Sequence, residues 1–169
     1  MADRKVEKAP AEFHNTIKMT EANSALTYKK KVDNTTLNTG SGVTHTLTAA
    51  ESGTHFNIDG TGNIVVNTPA LSTSNVGLHY SFLVTTAVGG GTTVTFVHPA
   101  GGDWIAQISH YENNPYPKGD AAGDTITLQN SSEIGTRVRM LCVQDSGTVA
   151  KWMATIEGAA SATVPTVAD

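Results

Sequence analysis

The sequence predicts an all-β fold, an antiparallel β-sandwich or barrel-like domain carrying an extended N-terminal arm. Three observations lead there. Short segments alternate apolar and polar residues with a period of two, the pattern of strands with one buried face. Clusters of Gly, Pro, Asn and Asp interrupt those segments every few residues. Charged residues make up only 15% of the 169-residue chain, and Thr, Ser, Asn and 16 Gly take their place. That composition favours strands and tight turns over helices.

The chain divides into three parts. Residues 1–42 are an arm in which isolated apolar residues (Val6, Phe13, Ile17, Met19, Leu26, Tyr28) sit in a polar background. Such a segment is either a disordered tail or an extended arm that orders on a partner, with its apolar residues as spaced anchors. Gly40-Ser41-Gly42 is a hinge candidate. Residues 43–157 are the body. His45–Thr48 alternates, and "AAESG" turns the chain into "THFNID", which stops at Gly60. "NIVVNT" stops at Pro69, and "PALSTSNVG" connects to "LHYSFLVTT". There Leu78, Tyr80, Phe82 and Val84 share one face, and His79, Ser81 and Leu83 the other. Gly89-Gly90-Gly91 leads to "TTVTFVH", followed by "DWIAQIS" and the irregular stretch "HYENNPYPKGDAAGD". "TITLQ" opens the last group, and "TRVRMLCVQD" and "TVAKWMATIE" read as a hairpin. Residues 158–169 are a weakly patterned tail.

The net charge is −4, unevenly distributed. Through Asp33 there are seven Lys/Arg and five Asp/Glu, net +2; the remainder holds four and ten, net −6. An acidic body argues against nucleic acid as a partner. There is one cysteine, Cys142, so no intramolecular disulfide forms, which fits assembly in a reducing compartment. The N-terminus has no apolar signal region, and no run of about 18 apolar residues predicts a membrane span.

The succession "HTLTAAESGTHFNID", "VVNTP", "GLHYSFLV", "TVTFVHPAGGDWI", "GDTITLQ" and "GTRVRMLCV…GTVAKW" resembles a β-module of tailed-bacteriophage virion proteins. Such modules occur in capsid decoration (cement) proteins, head fibres and tail-fibre parts. The resemblance covers roughly Val43 to Glu157 and does not extend to residues 1–42. It implies a non-enzymatic structural protein that trimerises and binds the major capsid protein on the outer surface of the assembled head. Assembly in the host cytoplasm is then expected, with no cofactor, nucleic acid or membrane involved. Position and composition nominate Lys5, Phe13, Ile17, Met19, Tyr28, Lys29, Lys30 and Lys31 for capsid contact. The alternative is a carbohydrate-binding or host-adhesion module of a head or tail fibre, with a glycan as partner.

The six His (His14, His45, His55, His79, His98, His110) form no metal-ligand spacing, so no metal site is expected. Gly89–Gly91 lacks the Lys-Ser/Thr of a phosphate loop. "NIDGTGN" lacks the downstream Glu of a calcium loop and reads as a tight turn at Asp59-Gly60. The long loop carries Trp104, Tyr111 and Tyr116 for surface contact. Its carboxylates Asp103, Glu112, Asp120 and Asp124 raise a glycosidase reading that is the weakest of the three, and no catalytic residue is assigned. Arg137 and Arg139 alternate outward on one strand, either as a solvated face or as a cationic strip facing a partner's carboxylates. Cys142 is expected to pack as a small apolar residue, and Trp152 to lie in the core or at a trimer contact.

Overall fold

A computed structural model describes residues 31–98, 104–110, 125–128, 132, 134–144, 150–158 and 166–168. Strands are the main regular structure of the described residues, and the helical pieces among them are two single 3-10 turns at Ala49–Glu51 and Thr73–Asn75. The all-β expectation is met. Two sheets form. The six-stranded sheet has the order β1 (Val32–Asp33), β3 (His55–Asp59), β5 (His79–Thr86), β9 (Arg137–Gln144), β10 (Ala150–Gly158), β7 (Trp104–His110). The five-stranded sheet has the order β11 (Thr166–Ala168), β8 (Thr125–Leu128), β6 (Val94–Val97), β4 (Ile64–Asn67), β2 (Val43–Thr46).

The antiparallel expectation is corrected: both sheets are mixed. β1–β3, β3–β5, β7–β10, β2–β4 and β4–β6 pair in parallel. β5–β9, β9–β10, β6–β8 and β8–β11 pair antiparallel. The reason lies in the path of the chain. From β1 to β6 each strand belongs to the sheet opposite its predecessor, so pairing skips one strand. The chain runs out in one sheet and back in the other, and successive strands within a sheet therefore point the same way. The four residues Gly60–Asn63 between β3 and β4 have the length of a hairpin loop. Instead they turn a corner between sheets.

Corners of successive coils stack on one another. Val43 N–H donates to Asn63 O (2.9 Å), and Ile64 N–H to Thr93 O (2.9 Å). Asn63 Oδ1 accepts from Thr93 N–H at 2.9 Å. At the opposite corners, Leu47 N–H reaches Asn67 O and Thr68 N–H reaches Val97 O, both at 2.9 Å. Gly60 and Gly62 permit the close approach. A Cβ on Gly62 would lie 2.5 Å from the Ser41 carbonyl carbon, and one on Gly60 would lie 2.7 Å from Thr86 O and Val88 N.

The hairpin of β9 and β10 is inserted between β5 and β7 and carries the largest core residue, Trp152. The inner faces of both sheets supply a single buried cluster. Phe56 stacks on Phe82 (centroids 5.4 Å apart), and Phe82 meets Phe96 of the other sheet edge-on at 5.0 Å. Tyr80 and Trp152 are tilted neighbours at 5.9 Å. Their polar ends are satisfied by connections: Tyr80 O–H donates to Thr48 O (2.8 Å) and Trp152 Nε1–H to Pro69 O (3.2 Å). Trp152 and Cys142 are thus core residues. Burial pushes the Cys142 thiol above its ordinary pKa.

Residues 31–42, placed with the arm on sequence grounds, pack on the body. Val32 and Asp33 extend the sheet in parallel beside His55 and Phe56. Leu37 is fully buried, and its carbonyl accepts from Asp59 N–H at 3.0 Å. The Asp33 carboxylate accepts from the backbone N–H groups of Thr35 and Thr36, both at 2.8 Å, and from Thr36 Oγ1 at 2.8 Å. The proposed hinge at Gly40–Gly42 is stacked against the Gly60–Asn63 corner. At the other end, Thr166–Ala168 of the assigned tail pairs with β8. No described helix is long and apolar enough to cross a membrane.

Candidate functional site

The outer face of the six-stranded sheet holds Arg137 and Arg139. Strand β9 alternates strictly: Val138, Met140 and Cys142 point into the core, and Arg137 and Arg139 point outward and are exposed. Register then decides their company. Arg139 lies beside Ser81 of β5 and Thr155 of β10; Arg137 lies beside Leu83 and Glu157. Ser81 in turn lies beside His55, and Leu83 beside Asn57. Two transverse rows result, one led by each arginine.

Glu157 is directly opposite Arg137 yet makes its ion pair diagonally with Arg139. Arg139 Nη1 to Glu157 Oε1 is 3.3 Å, and Nη2 to Oε2 is 3.5 Å. The pair is solvent-exposed and contributes little to stability. Arg137 has no ion-pair partner among the described residues. His55 Nδ1 lies 2.9 Å from Ser81 Oγ, which fixes the position of that hydroxyl. His55, Ser81, Phe82, Leu83, Arg137 and Arg139 line an open depression of about 210 Å³. Two guanidinium groups, an imidazole and a hydroxyl thus border one depression.

A second polar cluster is structural. Glu51 Oε2 accepts from Thr48 N–H and Thr48 Oγ1, both at 2.7 Å, while Oε1 lies 2.9 Å from His45 Nε2. Burial acts to raise the Glu51 carboxyl, but the Thr48 bonds and the adjacent His45 outweigh it and leave the pKa below its ordinary value. An ionised carboxylate with these oxygens engaged holds the 3-10 turn after β2 in place. Nearby, burial and then the charges of Glu51 and Cys142 push the Tyr80 phenol up to about 12. Among the described residues no group of three or more His, Cys, Asp or Glu is arranged to hold a metal ion.

The remaining predicted residues are distributed as follows. Lys31 is exposed at the start of the body, and its carbonyl accepts from His55 N–H at 2.8 Å. Lys5, Phe13, Ile17, Met19, Tyr28, Lys29 and Lys30 lie outside the described residues, as do Tyr111 and Tyr116. Trp104 opens β7, in register with Trp152. Sequence reasoning put Ser81 on the face opposite Tyr80 and Phe82 but did not join it, or His55, to the arginines. Alternation gives the face of a strand, whereas the neighbour across the sheet depends on a pairing that skips through the chain. No protein-family model matches the sequence, and no curated protein matches it.

Proposed function

We propose that this chain is a structural protein of a tailed-phage virion, a decoration protein that binds the assembled head as a homotrimer and acts by binding alone. The body is read as a sandwich of its two sheets, and residues 1–30 as the arm that holds the major capsid protein. One observation carries the reading: the segments that resemble the virion β-module supply most of the strands and corners of one cross-braced body. The thirty residues before Lys31 hold six Lys/Arg and four Asp/Glu, against an acidic remainder. They join the body at β1, the edge of the six-stranded sheet.

A rigid body suits this task, because a protein that binds the assembled shell and not its loose subunits stabilises the shell by mass action. Three arms on one trimer raise the effective concentration of each weak contact. Trimerisation also covers sheet edges that would otherwise invite uncontrolled pairing. Deleting residues 1–30 should leave a folded trimer, by circular dichroism and mass in solution, that no longer co-sediments with heads. Normal decoration by the truncated protein would refute the arm.

The alternative, an adhesion module, draws on the same resemblance, which extends to fibres, and would use Trp104, Tyr111 and Tyr116. A glycan array decides it: specific binding abolished by Tyr116→Ala would favour adhesion.

A further inference from the structure

We infer that the depression between β3, β5 and β9 is a carboxylate-binding site that takes an Asp or Glu side chain from an extended acidic segment of a partner protein. Three observations converge on this ligand. Arg137 and Arg139 project from alternate positions of one strand, and Arg139 pairs with Glu157 of the strand on its far side. Arg137, without an ion-pair partner among the described residues, presents its guanidinium fork beside it, and planar forks match carboxylate geometry. Ser81 Oγ, 2.9 Å from His55 Nδ1, borders the same depression on the neighbouring strand, with no carboxylate among the lining residues. The depression, at about 210 Å³ and open, suits one side chain rather than a whole ligand.

The chemistry also separates a protein carboxylate from a sugar acid. Sugar rings commonly stack on exposed aromatic faces. Phe82 borders the depression but turns its ring to the opposite, buried face of the sheet, where Phe56 and Phe96 engage it. Leu83 offers a small apolar contact, enough for the methylenes of Glu. The inference shares the binding-only reading above but stands at a different place from the arm, so the two fail separately.

The test is a titration of the intact, isotope-labelled chain, followed by NMR, with a blocked Glu-Glu-Gly peptide, glucuronate and inorganic phosphate as probes. The peptide should shift the signals of Ser81, Leu83 and Arg137 with a Kd of about 1 mM, weakening as salt rises. Arg137→Gln should weaken that binding about tenfold while leaving the rest of the spectrum unchanged. Glucuronate or phosphate binding as tightly as the peptide would overturn the assignment to a protein carboxylate, and shifts absent or scattered over the surface would overturn the site. If the peptide binds here but Arg137→Gln decorates heads normally, the carboxylate site stands and its partner is not the head.

Discussion

At the residue scale, the polar side chains with the clearest physical roles fasten the ends of strands. Asp33 is one. Burial acts to raise its carboxyl, but the backbone and side-chain bonds from Thr36 and Thr35 prevail and lower its pKa to about 2, from 3.8. A folded-state pKa below the unfolded one means that Asp33 contributes stability above about pH 4. That contribution is lost as pH falls from about 4 towards 2. Asp33→Asn should therefore lower the unfolding free energy read from urea denaturation by about 1 kcal/mol near neutral pH, and make little difference at about pH 2. An equal loss at both pH values would mean that shape, not charge, sets the effect. Arg137 and Arg139 are the contrasting case. They fasten no strand end, which is why their outward position is informative about partners.

At the element scale, the unit of this fold is a pair of strands with the two corners that join them to the next pair. The side chains at the corners must be small where one coil's backbone crosses another's. Gly62→Ala would drive a methyl into the backbone at Ser41 and Gly42, which cannot yield as a flexible side-chain tip could. The variant should lose about 2 kcal/mol or more, read by chemical denaturation. Retention of full stability would show that the first corner is not tightly stacked on the second. The strand segments themselves were largely legible in the sequence. "THFNID" contains β3, "NIVVNT" contains β4, and "LHYSFLVTT" contains β5, because alternation and turn residues are local signals. Val32–Asp33 was not legible, since two residues carry no period, and Thr166–Ala168 is scarcely longer.

At the scale of the whole molecule, the mixed topology makes the N-terminal boundary consequential. A deletion that stops at residue 30 leaves β1, Asp33 and Leu37 in place. One that runs through Asp33 removes a strand and uncovers the edge of β3. The shorter deletion should keep the melting temperature of the intact chain, and the longer one should lower it by several degrees. Equal melting temperatures would mean that β1 adds nothing to the body. The sequence by itself determined that the chain is β-rich, where most strands lie and which of their faces is buried, because each depends on neighbours a few residues apart. Tertiary structure alone decided that strands β1 to β6 alternate between sheets, so that the same-sheet neighbours among them run parallel. It likewise decided that His55 and Ser81 stand beside Arg139. Hydrogen-bond pairing across a sheet joins residues tens of positions apart, and no local pattern encodes which partner a strand edge will meet.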